Sequence, residues 1–344
     1  MSTEAKIQLS SSELGTLWMT YQTITATLVM YDLFKDKAID KEAKNIITSC
    51  IKEKQNVNNK IVNVFNNEKA IIPMGFGEQD VVREASPLFN DIFYIMFIRQ
   101  MSKLNLGHSA VFSTVSYMDE INDILKLNYD IANKYYMMTT KYLLGKGVLA
   151  RPPYVTMPKQ IKFIEDKNYM SGFNILSDKR SLNTIEVSYI NEAIESNIFN
   201  MQLITGFEQT ATESEVKKYF IEGKELIKKN IAELSDMLLQ SDIQPPSTWA
   251  GKVTESTQSP FSDKLMMYIS SIIFSTSLGF TGLGTSFNMR NDLPLKLGFI
   301  SKDTFTYAKK GAKIMIAHKW MEELKSNFEI KTSDVSPHFD IMKF

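Results

Sequence analysis

The stretch Ser86-Pro-Leu-Phe-Asn-Asp91 recurs, one residue shorter, as Ser259-Pro-Phe-Ser-Asp263. Two further landmarks keep nearly the same separation of about 172 residues: Ile72-Pro73 is matched by the segment 243–246, and Leu106-Gly107 is matched by Leu278-Gly279. A constant offset across three landmarks rarely arises by chance, and an internal repeat of this kind means that one structural unit occurs twice. The sequence therefore predicts two copies of one fold within its 344 residues.

Most of the chain has the apolar spacing of helices. In the first copy, apolar residues recur at alternating steps of three and four over 14–31, 47–65, 89–97 and 121–142, which is the pattern of one helix face. The third helix is predicted to begin at Ser86-Pro87, because Ser caps helices and Pro favours the first helical position. In the second copy the pattern resumes at Val187, a capping box at Thr212 to Glu215 opens the next helix, and the last helix is predicted over 291–324. Four long helices in each copy predict an all-α protein of two tandem up-down four-helix bundles.

The periodicity also divides the chain. Residues 1–150 and 182–328 are predicted to form the two bundles, and residues 329–344 a polar C-terminal tail. Between the bundles, residues 151–181 lose the periodicity and contain several prolines and Gly172, which indicates a linker. Each bundle is long enough to bury a core of its own. We therefore expect two separate hydrophobic cores.

Composition argues against two classes of function. Lys and Arg together number 39, as do Asp and Glu, and the basic pairs have acidic neighbours, so we expect no nucleic-acid binding. Residues 266–289 carry no charge and are long enough to cross a bilayer, but Ser, Thr and Gly dilute their hydropathy. We expect a core helix there and no membrane span. The N-terminus lacks the basic-then-apolar order of a signal peptide, which predicts cytoplasmic synthesis.

Residues that carry catalytic or metal chemistry are few. A di-iron site in a helical bundle needs a Glu on each of two helices and a Glu-x-x-His motif on the other two. The motif is absent, because His108, His318 and His338 are preceded three positions earlier by Asn105, Met315 and Val335. The single cysteine, Cys50, lies on an apolar stripe, which indicates a packed and inert thiol. We therefore expect no catalytic residue, no metal ligand and no cofactor, and hence no enzyme.

Three weaker candidates have structural explanations. Glu192 and Glu195 are the acids that could point into a bundle, but the first copy has no matching pair. Asp91 and Asp263 fall in the first turns of their helices, where a carboxylate favours the positive end of the helix dipole. The glycines at 279, 282 and 284 match no phosphate-binding loop and indicate close helix packing.

Several segments resemble a known family: Leu106-Gly-His-Ser-Ala110, Gly145 to Tyr154 with Met157-Pro158-Lys159, Met289 to Leu293, and Gly311 to Glu322. The chain is similar over nearly its whole length to uncharacterised proteins of Bacillus and related spore formers that contain tandem ferritin-like bundles. The resemblance implies a ferritin-like fold and kinship with spore coat proteins of the bundle type. It implies no activity and no functional residue, and the fold name alone does not imply iron storage.

Two hypotheses of function follow, with a third that the residues disfavour. The first is a non-catalytic structural protein that associates with itself or with other spore-layer proteins, since 21 Phe, 14 Tyr and 19 Met suit contact surfaces as well as cores. The second is a cytosolic bundle that binds a small molecule or lipid in a cavity beside the glycine-bearing third helix of each copy. The third, a metal enzyme, requires ligands that the sequence does not offer.

Overall fold

The computed structural model describes residues 8–172 and 179–324, and these ranges contain eight α-helices and no β-strand. The first half consists of α1 (Ser11–Lys37), α2 (Lys41–Asn67), α3 (Asp91–Ser113) and α4 (Asp119–Gly145). The second half consists of α5 (Thr184–Thr210), α6 (Ser214–Leu239), α7 (Asp263–Phe287) and α8 (Asp292–Ala317). Short 3-10 turns lie at Glu78–Asp80 and Lys167–Met170. The predicted all-helical fold with a four-helix unit repeated twice is confirmed.

A buried glutamate in each half joins the start of its first helix to the start of its fourth. Glu13 forms a capping box with Ser10, and it also accepts hydrogen bonds from the backbone amides of Tyr117 and Met118 at 2.8 and 2.9 Å. Burial would raise the pKa of Glu13, but these hydrogen bonds outweigh it and lower the pKa to about 2. Glu186 has the same role, since it accepts hydrogen bonds from the amides of Met289 and Arg290.

A second pair of carboxylates fixes the direction of the third helix. Asp91, the first residue of α3, accepts hydrogen bonds from the amides of Ile39 and Asp40 at the start of α2. Asp263 accepts equivalent bonds from Thr212 and Glu213 before α6. The starts of α2 and α3 therefore lie together, so these two helices run in the same direction. Residues 68–90, and likewise 240–262, form long crossovers, so each half has one long connection between its second and third helices.

The two crossovers pair with each other in a twofold pattern. The amides of Val82 and Thr254 donate to the carbonyls of Pro260 and Leu88 at 3.0 and 2.9 Å, and the amides of Asn90 and Ser262 donate to the carbonyls of Lys252 and Asp80 at 3.3 and 2.8 Å. The bond from Val82 to Pro260 thus corresponds to the bond from Thr254 to Leu88, since the two donors, like the two acceptors, lie about 172 residues apart. The same relation holds between the bonds of Asn90 and Ser262. The halves thus meet in a self-complementary arrangement, the isologous geometry of a C2 dimer within one chain.

Crossover pairing corrects the predicted start of the third helix. The α3 helix begins at Asp91 with Asn90 as its N-cap, and not at Ser86-Pro87. Leu88 and Phe89 are held outside the helix, because the Leu88 carbonyl accepts the bond from Thr254 and Phe89 forms a bridge with Val253. Serine and proline at a helix start look the same in sequence as serine and proline in an extended segment.

Two other helix predictions also change. The last helix was predicted to be longer than its counterpart, yet α8 ends at Ala317 and has 26 residues against 27 in α4. The N-cap of α6 is Glu213, which makes no side-chain cap bond. The predicted capping box fails because the Thr212 hydroxyl donates instead to Asp263 at 2.9 Å.

One hydrophobic core runs through both halves. Phe93 of α3 stacks on Phe199 of α5 at a centroid separation of 5.5 Å, and Phe34 of α1 meets Phe261 of the second crossover edge-on at 6.3 Å. Both pairs belong to a single cluster of buried side chains that includes residues of all eight helices. The expectation of two separate cores is therefore wrong, whereas the domain limits near 150 and 182 stay a prediction. A smaller second cluster around Ile190 and Leu297 lies within the second half.

The uncharged helix predicted over 266–289 corresponds to α7. Among the described residues, α7 is the one helix whose length and composition would also allow it to cross a membrane. Its N-terminal half is buried through Leu265, Ile269 and Ile273, whereas its C-terminal half exposes Leu283 and Phe287. The helix is thus part of the core at one end and part of the surface at the other.

Candidate functional site

The centre of the first bundle contains a buried cation in place of metal-binding acids. The Lys54 side chain is 3% exposed, and its ammonium donates to Asn128 Oδ1 at 2.7 Å. The Asn128 amide donates in turn to Ser109 Oγ at 3.0 Å and to Asn105 Oδ1 at 3.3 Å. Burial lowers the pKa of Lys54 to about 8. A lysine and two amides would repel or weakly coordinate a cation, so this interior does not fit a di-iron centre.

The second bundle fills the same depth differently. Ile227 and Ile300 occupy the positions equivalent to Lys54 and Asn128. Tyr219 and Tyr307 stack with their ring centroids 4.2 Å apart, and the Tyr307 hydroxyl donates to the Tyr219 carbonyl at 3.0 Å.

Glycine makes room for this tyrosine stack. A Cβ atom at Gly223 would lie 2.1 Å from the Tyr307 hydroxyl, and one at Gly311 would lie 2.5 Å from the Tyr219 hydroxyl. Because the lysine and amide network of the first bundle has no counterpart at these positions of the second, the duplicated fold does not carry that internal network twice.

The sequence candidates for nucleophile and ligand are dispersed. Cys50 is buried, and burial raises the pKa of its thiol to about 12, which leaves it protonated and unreactive. His108 lies beside Phe112, and burial lowers its pKa. His318 stacks on Trp320, and His338 lies outside the described residues. Within the described ranges, no group of three or more His, Cys, Asp or Glu side chains is placed to hold a metal ion.

Glu192 and Glu195 face the other half of the molecule and not the interior of their own bundle. The Glu195 carboxylate lies 2.5 Å from Nη1 of Arg99, and both side chains are buried. Lys103 lies 2.9 Å from Glu192 and 3.6 Å from Glu195. Arg99 also donates to the Thr140 and Tyr136 hydroxyls, so each of its three nitrogens makes a hydrogen bond. These residues form an ion-pair cluster between α3 and α5.

Sequence reasoning found the two acids of this cluster but missed its two bases. Arg99 and Lys103 interrupt a long apolar helix, and a charge in such a place is a signal that a buried partner exists. The sequence offers no way to choose that partner, because it lies on a helix of the other repeat.

The predicted role of the α7 glycines holds at only one position. A Cβ atom at Gly284 would contact the Tyr189 side chain at 3.3 Å, which is close helix packing. At Gly279 and Gly282 nothing lies within 4 Å, so these two glycines face open space. The larger grooves are elsewhere: one of about 910 Å³ is lined by residues 162–172 with Lys179 and Arg180, and one of about 730 Å³ lies between α2 and α4. Neither touches these glycines.

An exposed apolar surface lies at the end of the α7–α8 hairpin. We call the four side chains that form it the α7–α8 surface: Leu283, Phe287, Leu295 and Phe299, which are 52%, 55%, 55% and 64% exposed. The neighbouring hydroxyls of Thr281, Thr285 and Ser286 all donate back to their own helix at 2.7 to 3.0 Å. Because these three hydroxyls already have acceptors in their own helix, covering the surface would leave none of the three unsatisfied.

The geometry defines a class of protein: an all-helical tandem repeat with a shared core and interiors filled by its own side chains. The family model described as a protein of unknown function, DUF3231, matches residues 1–161 and 170–324, and the chain therefore belongs to this family. The match confirms the resemblance to an uncharacterised family with two tandem units. A search of curated proteins finds no match.

One solved structure is similar to part of the chain. It is described as the crystal structure of a putative spore coat protein from Bacillus halodurans. The likeness has 13% sequence identity and a TM-score of 0.41, and it covers 44% of this chain and 98% of the other. At this TM-score the likeness carries no argument about function.

Proposed function

We propose that this protein is a non-catalytic structural protein that associates with further copies of itself. The observation that carries the proposal is the α7–α8 surface, where two neighbouring helices present four large apolar side chains that are each more than half exposed. Exposed apolar surface is a common feature of interaction sites. Inside the first bundle Lys54, Asn128 and Ser109 are bonded to one another, and the second bundle contains a tyrosine stack, which favours a role for the outside of the molecule.

The strength of association can be bounded from the exposed fractions. Covering the exposed half of a large apolar side chain gains roughly 1 kcal/mol, so a symmetric pair that covers four on each molecule gains roughly 8 kcal/mol. Association itself costs about 4 to 15 kcal/mol. We therefore expect weak, concentration-dependent association, which suits a protein that acts at high local concentration.

Light scattering across concentration tests this proposal. The net gain is at most about 4 kcal/mol, so larger species should appear as the concentration of the purified chain approaches about 1 mM. The double variant Leu283→Lys, Phe299→Lys should stay monomeric at the same concentration, because it places two like charges opposite their symmetry mates. A control variant, Ile71→Lys, changes an apolar residue that is 82% exposed and lies outside the surface, and it should associate like the wild type. A wild-type chain that remains monomeric at the highest concentration would rule the proposal out.

The finer part of the proposal is an association with the spore and with other spore-layer proteins after cytoplasmic synthesis. The support is the resemblance of the sequence to proteins of spore formers. A fluorescently tagged copy should move to the forming spore in sporulating cells. A tag that stays diffuse in the cytosol, together with a small molecule or lipid retained in native mass spectrometry, would favour the ligand-binding alternative instead.

A further inference from the structure

The backbone hydrogen bonds between the two halves repeat on both sides of a pseudo-twofold axis, but the buried ion pair between the halves occurs on one side only. The crossover hydrogen bonds repeat on both sides of the pseudo-twofold axis, and α3 packs on α5 as α1 packs on α7. The buried ion pair does not repeat. Arg99 meets Glu195 on one side, whereas the equivalent positions on the other side are Ser271 and Gln22.

This asymmetry determines which halves can pair. The backbone pairing alone would allow two first halves or two second halves to meet. A pair of first halves would place Arg99 against Gln22, and a pair of second halves would place Glu195 against Ser271. Either arrangement buries a charge without a partner, which is strongly destabilising. The interface therefore accepts a first half only against a second half.

Nothing in these contacts requires the two halves to belong to one chain. The connection between them is long, and residues 151–166 are exposed and contain no helix or strand. A segment of this length could span roughly 50 Å if extended. Exchange of a half between two chains would reproduce every contact of the interface, which is the condition for domain swapping at low cost.

We propose that the interface also joins separate chains, with the first half of one copy docked on the second half of another, and that the Arg99–Glu195 pair enforces this first-to-second pairing. The partner is a second copy of this chain. The proposal goes beyond the association described above, because it uses a different interface, and the two interfaces together would allow extended assemblies. The intramolecular form competes with an effective concentration in the millimolar range, so exchange needs high protein concentration or refolding.

Two charge variants of the full chain test the proposal. In the variant Arg99→Glu two carboxylates oppose each other within the chain, and in Glu195→Arg two guanidinium groups do so. When one variant is labelled with ¹⁵N and the two are refolded together, only an exchanged heterodimer brings opposite charges together at both of its interfaces. Native mass spectrometry should show a labelled–unlabelled dimer at twice the 39.3 kDa chain mass, at least about tenfold above either homodimer.

Two controls keep the result interpretable. The double variant Arg99→Glu, Glu195→Arg restores opposite charges within one chain and should fold and behave as the wild type. Labelled and unlabelled chains that carry Leu283→Lys and Phe299→Lys should form mixed dimers when they are unfolded and refolded together at about 1 mM, although the same chains stay monomeric when they are concentrated without unfolding. A mixture of the two charge variants that stays monomeric, pairs at random or precipitates would overturn the proposal. So would a refolded mixture of the Leu283→Lys, Phe299→Lys chains that contains no mixed dimers.

Discussion

Lys54 gives the first bundle a pH dependence that can be calculated from its position. Its ammonium is buried and has a pKa of about 8 in the folded chain, against the ordinary value of 10.5. Between these two values the unfolded chain holds a proton that the folded chain has lost, so unfolding takes up a proton and raising the pH stabilises the fold. At about 1.4 kcal/mol per pH unit, the free energy of unfolding should rise by about 3 kcal/mol between pH 8 and pH 10.5 from this group.

The variant Lys54→Met isolates that contribution. Methionine keeps most of the volume and removes the charge, but it leaves Asn128 Oδ1 without its donor, which costs about 1 to 3 kcal/mol. At pH 7 the two effects nearly cancel. The difference in the free energy of unfolding between wild type and variant, measured by urea denaturation from pH 7 to pH 10.5, should therefore rise by about 3 kcal/mol.

Subtracting the free energy of unfolding of Lys54→Met from that of the wild type removes the contribution of titrating groups that the two chains share. The variant Lys60→Met supplies a matched control, because it removes an exposed lysine from the same helix. If the Lys54→Met difference changes with pH no more than the Lys60→Met difference does, Lys54 is not a buried cation, and the reasoning about the bundle interior is refuted.

Three further predictions concern other parts of the fold. Replacing Glu13 with Gln should lower the free energy of unfolding by about 2 kcal/mol at pH 7, as measured by urea denaturation. The wild type should lose stability as the pH falls from 4.5 to 2, because the ionised carboxylate stabilises the fold and is protonated in this window. The variant should lose less stability over the same window. Gly223→Ala should lower the free energy of unfolding by about 1 to 3 kcal/mol, because the added methyl group clashes with Tyr307. Gly279→Ala should raise the free energy of unfolding by about 0.5 to 1 kcal/mol, because Gly279 faces open space. Equal effects of the two substitutions would contradict the close approach of Tyr307 to Gly223. The Cys50 thiol should react with a disulfide reagent only as fast as the chain unfolds, and rapid labelling of the native protein would contradict its burial.

Local signals made most of the helices predictable. Ser10 caps α1 and Asp40 caps α2, as expected of residues whose side chains accept a bond from the first free amides. The repeat was visible in the letters themselves, and it led directly to the four-helix unit. The predicted start of α3 is wrong because residues 88–90 pair with the other crossover, and a pairing partner about 165 residues away leaves no local trace in the sequence.

The shared core could have been inferred from a signal that was present. Residues 93–102 of α3 are buried without interruption, and a helix that is apolar all round has neighbours on every side. A four-helix bundle in isolation would leave an outer face of that helix exposed to water. The continuous run from Phe93 to Met101 therefore indicated a second bundle against α3, and Arg99 within it indicated a buried acid on that bundle.

The two halves differ in their bundle interiors, but they share the carboxylate and crossover contacts that hold the fold together. Glu13 and Glu186, Asp91 and Asp263, and the paired crossovers do the same work in both halves. The bundle interiors differ, with a lysine and amide network in the first half and a tyrosine stack in the second. The halves also differ at their boundaries, in the one-sided ion pair at Arg99 and in the α7–α8 surface. Substitutions in the α7–α8 surface change side chains that are more than half exposed and should leave the fold intact, whereas a charge reversal at Arg99 leaves a buried charge unpaired and should destabilise it.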